Sequence, residues 1–138
     1  MDEPHLTRFA TAQSGHLATI TPEGRPHAIV CCFALVGGVA YSAVDHKPKS
    51  TPALRRLANI EAHPWASLLA DHYDDDWTQL WWVRIDGPAR VLHPDRPASA
   101  HERTLALSAL AAKYPQYRDS PPSGAVIALD AARWTSWP

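Results

Sequence analysis

Apolar and polar residues alternate along 15–21 (Gly15-His16-Leu17-Ala18-Thr19-Ile20-Thr21), which predicts a strand with one buried face. Pro22-Glu23-Gly24-Arg25 then reads as a turn, with proline fixing φ and glycine free to take a positive one. The run 26–35 is rich in Ile, Val, Cys and Phe and predicts a second, well-buried strand. Val36-Gly37-Gly38 makes the next tight turn, and 39–44 reads as a third strand. Three strands joined by short turns predict an antiparallel meander.

The pattern changes after residue 44. Pro48 interrupts the sheet signal, and Ser50 or Thr51 is placed to N-cap a helix whose first position is Pro52. Leu54, Leu57 and Ala58 share one face of that helix, and His63-Pro64 closes it. A fourth strand is expected over 65–71, followed by the polar loop His72-Tyr73-Asp74-Asp75-Asp76. A long fifth strand runs over 81–92, with a bulge or bend at Gly87-Pro88. Residues 97–113 read as a second helix, 114–123 as an irregular connection with three prolines, and 124–129 as a last strand. Residues 131–138 read as a short tail carrying Trp134 and Trp137. Roughly six strands with two helices predict a mainly β protein, a small β-barrel with helical additions.

Composition narrows the function. The chain has 138 residues, room for one domain (1–138). With 46% hydrophobic and 20% charged residues it can bury a core. A net charge of -1 provides no general attraction to nucleic acid or anionic membrane. The longest apolar run, 28–36, falls well short of the roughly 20 residues that span a bilayer. The start, Met1-Asp2-Glu3-Pro4-His5, carries no apolar leader segment. A soluble, cytoplasmic chain is therefore expected. Cys31 and Cys32 are the only cysteines, and as strand neighbours they point to opposite faces, which disfavours a bridge between them. Six Trp against two Phe is unusual, and the amphipathic indole suits a flat ligand or a subunit interface as well as a core.

Local charge is more telling than the total. Lys47, Lys49, Arg55 and Arg56 lie between positions 47 and 56, with Ser50 and Thr51 among them at a predicted helix N-terminus. Free N–H groups, the positive dipole end, hydroxyls and cations together make an anion site, and arginine adds a bidentate fork for phosphate. A solvated basic surface is the plainer reading of the same residues.

Other chemistries find less support. The eight histidines have no ligand spacing, HExxH is absent, and no cysteine cluster accompanies them. No GxSxG elbow supports a serine nucleophile, and Asp74-Asp75-Asp76 lacks the oxygen spacing of a calcium loop. GxGxxG and Walker loops are missing, which disfavours a conventional nicotinamide or ATP site.

The stretch Leu17-Ala18-Thr19-Ile20-Thr21-Pro22-Glu23-Gly24-Arg25-Pro26-His27 resembles the first hairpin of the pyridoxamine 5'-phosphate oxidase-like, flavin-binding split barrels. The basic segment 49–60 with His63-Pro64, then 65–71, then 81–92 with Arg84-x-x-Gly87-x-Ala89, follow in the same order. More narrowly, Asp45-His46-Lys47-Pro48-Lys49, Asp71-His72-Tyr73-Asp74-Asp75-Asp76-Trp77 and Leu80-Trp81-Trp82-Val83-Arg84 resemble the actinobacterial branch assigned to the deazaflavin coenzyme F420.

The resemblance covers nearly the whole chain and implies a six-stranded antiparallel split barrel, working as a homodimer with cofactor sites at the interface. It implies a cofactor phosphate held at the strand-to-helix junction, with Arg56 and Lys49 foremost and Lys47, Arg55, Ser50 and Thr51 beside them. Trp81 and Trp82 match positions near the tricyclic ring, and Trp137 is expected to reach across the dimer. The segment 49–59 is longer than in many relatives, which leaves open which cation meets the phosphate. The implied activity is hydride transfer between F420 and a small, conjugated organic substrate. No protein acid or base is demanded, and His27 and Tyr41 are read as structural more readily than as proton donors. The alternative is an FMN- or haem-binding barrel, catalytic or purely a binding module. A cofactor-free interaction dimer is a third class.

Overall fold

The computed structural model describes residues 2–44 and 51–138, leaving aside the side chains of 51–54. The chain begins with a helix, α1 (Glu3–Thr11), that the sequence pattern did not announce. Its start is nonetheless well encoded. The Asp2 carboxylate accepts the His5 backbone N–H at 3.2 Å, Pro4 sits in the first turn, and Glu3 and Arg8 lie at the dipole ends that favour their charges.

The first hairpin follows as expected, with β1 (Gly15–Ile20) antiparallel to β2 (Pro26–Cys31). Gly24 in the connecting turn has φ 86°, the left-handed value that glycine tolerates best. The second strand is shorter than the expected 26–35. It stops at Cys31, and Phe33 turns into the core with no exposed surface before β3 (Ala34–Val36) begins. β4 (Val39–Ala43) pairs with β3, and among the described residues β2 pairs only with β1, so the expected three-strand meander is two separate hairpins. β2 is also not the well-buried strand expected, since Pro26, Ala28 and Val30 are exposed and Cys31 alone in it is buried; an apolar run does not tell an outward-facing side chain from a core one.

α2 (Thr51–Ala62) ends just before His63-Pro64, where the sequence placed its stop. β5 (Trp65–His72) and β6 (Trp81–Leu92) form the longest antiparallel pair. A short 3-10 turn, Pro97–Ser99, leads into α3 (Ala100–Lys113). The supposedly irregular connection contains α4 (Pro115–Asp119), opened by a proline in its first turn. The last expected strand is β7 (Val126–Asp130), and the supposed tail is an eighth strand, β8 (Arg133–Trp137).

The described residues thus form eight strands in the order β2-β1-β5-β6-β7-β4-β3, with β8 also on β6. The antiparallel split barrel is present, with eight strands where six were expected. β6 organises it. Trp81–Pro88 pairs β5 along one edge, while the other edge pairs β8 over Trp82–Asp86 and β7 over Ala89–Leu92. Inside the barrel, Leu17, Phe33, Ile60, Leu68, Val83, Ile85 and Leu129 are almost wholly buried. Phe9 of α1 joins them, its ring 4.9 Å from Phe33 and 5.4 Å from Trp134. α3 packs outside, with Ala106 and Leu110 against Tyr41, Val126 and Ala128.

Candidate functional site

The first hairpin turn and α2 enclose a cleft of about 560 Å³ lined by Thr21, Pro22, Glu23, Arg25, Arg55, Ala58 and Asn59. Two guanidinium groups against one carboxylate make it locally positive. At its floor Asn59 is fully buried and donates from Nδ2 to Thr19 Oγ1 at 3.0 Å. Thr19 lies directly across the hairpin from His27. Among the described residues Asn59 Oδ1, His27 Nδ1 and Arg56 Nε are buried without a partner. Arg56 is three residues before Asn59 and shares its face of α2. A buried polar atom left unpaired costs about 1–3 kcal/mol. The two guanidinium groups at the mouth of the cleft suit an anion.

The opposite end of β1 carries a different cleft, about 440 Å³, lined by Ala12, Gln13, Ser14, Asp71, His72 and Trp81. The Arg8 guanidinium stands 6.0 Å from the Trp81 ring centre. His16 Nε2 lies 3.4 Å from Asp71, and His72 Nε2 lies 3.6 Å from Asp74. Here an aromatic wall meets titratable side chains.

Between the two ends lies the outer face of the sheet. Alternation directs Ala18, Ile20, Ala28, Val30 and Trp65 outward, and Val30 is 65% exposed. Trp82 pairs with Trp137 across β6 and β8 on that face, and Arg84 stands 5.9 Å from the Trp82 ring centre. At its centre the Ser67 hydroxyl donates to Asp86, which also holds Arg84 at 3.1 Å.

Of the residues the sequence singled out, Lys47, Lys49 and Ser50 lie outside the described residues, and so does the side chain of Thr51. Arg55 lines the positive cleft, and Arg56 turns its Nε into the protein beside it. Trp81 belongs to the other cleft. As strand neighbours Trp81 and Trp82 face opposite ways, so they do not flank one ring within a single chain. The arginines and Trp81 are likewise held at opposite ends of β1. Arg25, Thr19 and Asn59 escaped sequence reading as site residues, although Arg25 closes the hairpin turn and faces α2.

Tyr41 is accounted for structurally. It is 3% exposed, donates to Glu102 Oε2 at 2.7 Å, and is pushed up to about 12 by burial and then by that carboxylate. It ties α3 to the sheet.

Solved structures share the architecture. The conserved hypothetical protein Rv2991 of Mycobacterium tuberculosis superposes with a TM-score of 0.74 at 21% identity, covering 99% of this chain and 84% of its own. The haem storage protein HutZ of Vibrio cholerae gives 0.72 at 15% identity, over 98% and 92%. An FAD-binding protein of Mesorhizobium loti gives 0.70 at 16% identity, over 96% and 91%. No curated protein matches the sequence significantly. A family model for pyridoxamine 5'-phosphate oxidase matches residues 1–138, and the chain belongs to that family.

Proposed function

We propose that the chain is a coenzyme F420-dependent oxidoreductase that works as a homodimer on a small, conjugated organic substrate. The observation that carries this reading is the positive cleft at the hairpin turn, where Arg25 and Arg55 open to solvent over the buried Asn59. A phosphodiester followed by a carboxylate tail needs more than one cation, and the sequence carries Lys47 and Lys49 shortly before α2. Ser50 and Thr51 add hydroxyl donors at the start of α2. The DHYDDDW and LWWVR strings favour F420 over FMN within the family.

When bound, the reduced deazaflavin supplies a hydride from its C5 carbon. The protein's part is to hold the tail, fix the ring and exclude water. The indoles of Trp81, Trp82 and Trp137 suit the last two tasks, yet the arginines and Trp81 sit at opposite ends of β1. A second copy docked on the outer sheet face, with its two-fold axis perpendicular to β1, brings the arginine end of one chain beside the tryptophan end of the other. Ile20, Val30, Trp65 and Trp137, all exposed on that side, give the interface its apolar content.

Titration of the purified protein with F420, FMN and haem side by side tests the reading. F420 is expected to bind tightest, with affinity falling as salt rises. FMN binding about tenfold tighter than F420, a difference of about 1.4 kcal/mol, overturns the deazaflavin assignment and leaves the flavin alternative; haem binding tightest leaves the haem-carrier alternative.

A further inference from the structure

A third cleft, about 260 Å³, opens where the last turn of α2 meets the end of β6, and it shares no lining residue with the other two. Ile60, Pro64, Ala89 and Val91 give it an apolar wall. Glu61, Arg90, His93 and Arg96 supply its polar groups. Main-chain bonds hold the frame: the Ala89 N–H donates to the Pro64 carbonyl at 3.1 Å, and the Arg96 N–H to the His93 carbonyl at 3.3 Å.

The polar groups are not equally engaged. Arg90 is turned to carboxylates of its own, with a two-pronged bond to Glu102 and a contact of 3.4 Å to Asp130. Glu61 is held through Oε1, which lies 2.9 Å from His93 Nε2. Among the described residues Arg96 pairs with no carboxylate, and Glu61 pairs with no arginine or lysine. Opposite charges therefore line one cleft without cancelling each other. Glu61 also lies in the last turn of α2, where a carboxylate adds to the negative end of the helix dipole instead of offsetting it. Beside Glu61 the cleft favours a cation. Beside Arg96 it favours an anion, and the planar fork of guanidinium donors matches a carboxylate. The volume lies below the roughly 300–1,000 Å³ of clefts that take drug-sized ligands, which points to a smaller molecule.

We propose that this cleft binds a small zwitterion, an α-amino acid with an apolar side chain. The ammonium faces Glu61, the carboxylate takes the Arg96 fork, and the side chain lies on Pro64 and Val91.

Titration with L-leucine tests the assignment, followed by NMR at the His93 ring protons and the Arg96 backbone amide. Saturable shifts are expected, with a dissociation constant on the order of 1 mM for so small a ligand in an open cleft. N-acetyl-leucine lacks the ammonium and leucinamide the carboxylate, and each should bind about tenfold more weakly. Glycine keeps both charges but loses the apolar contact, so it too should bind more weakly. Glu61→Gln and Arg96→Gln each remove one exposed charge, and each should weaken leucine binding about tenfold while retaining the circular dichroism of the parent. No saturable shift at tens of millimolar leucine, equal binding of any of the three analogues, or variants that bind leucine as the parent does overturns the proposal.

Discussion

A Cβ placed on Gly87 would stand 1.8 Å from the carbonyl oxygen of Asp130. β6 passes from β8 to β7 at this residue, and the turn between those strands lies against its backbone, with the Ala132 N–H donating to the Asp86 carbonyl at 3.1 Å. Backbone cannot yield as a flexible side chain does. Gly87→Ala must therefore move the β7–β8 turn or bend β6, and should destabilise the protein by 3 kcal/mol or more, in the range of severe backbone and packing changes, about 3–5 kcal/mol. Urea unfolding checks it, and a loss below about 1 kcal/mol would show that the turn shifts freely.

That glycine, and much of the scaffold around it, was legible in the sequence. β1, α2 and β6 each carry a clear period, β1 stopping before Pro22 and α2 before Pro64 while β6 runs through Gly87-Pro88, and each fell within a residue or two of its expected bounds. β8 escaped because Arg133-Trp134-Thr135-Ser136-Trp137 shows no clean alternation, its residues being partly covered on both sides. α1 escaped because its signal is a cap, Asp2 with Pro4, and a single buried residue, Phe9. The basic segment leads into α2, but which way each of its adjacent arginines faces is a matter of helix rotation. Arg55 faces the cleft and Arg56 the interior, and no spacing rule separates neighbours whose hydrophobic context is the same. The distance between Arg55 and Trp81 depends on which end of β1 each element reaches, and that is a tertiary fact.

Stability should depend on acid through Glu102. Hydrogen bonds from Arg90, with a further one from Tyr41, hold its carboxyl below the ordinary 4.5. A depressed carboxyl binds fewer protons folded than unfolded, so its contribution is present above about 4.5 and is lost as pH falls through the folded value. Arg90 is 43% and Glu102 29% exposed, so the contribution is at most about 1 kcal/mol. Tyr41 acts at the other extreme, since its raised value adds stability below pH 10 that fades as pH rises toward about 12. Glu102→Gln should flatten the acid limb of a urea-midpoint profile between pH 6 and 3. An unchanged acid limb in the variant would assign that loss to other carboxylates.

Arg25, Arg55 and Arg56 allow the anion cleft to be dissected. Removing Arg56, whose Nε is buried, or Lys49 should each weaken F420 binding by about 1.5–3 kcal/mol, the usual worth of a hydrogen bond to a charged group. Arg25→Ala and Arg55→Ala remove exposed cations and should cost less, chiefly at low salt. Equilibrium titration at two ionic strengths separates these effects. If all four variants bind as the parent does, the tail lies elsewhere.

Val30 tests the assembly. It stands 65% exposed on the outer side of β2, an edge strand among the described residues, with Ile20 and Trp65 also exposed on the same face. An apolar sheet face of this kind is expected to be covered, and a dimer needs about 800 Å² from each copy. Val30→Asp places a carboxylate on that apolar surface without touching the core, where Leu17 and Leu68 face inward. Folding should be unaffected, because the position has no buried contacts to lose. Burying two symmetry-related carboxylates would cost several kcal/mol, so the variant should be monomeric by light scattering at micromolar concentration where the parent is dimeric. If the cofactor ring is held between copies, F420 affinity should fall with the loss of the dimer although every arginine is intact. A parent protein that scatters as a monomer removes the basis for a shared site, and a monomeric variant that binds F420 at full strength places the whole site within one chain.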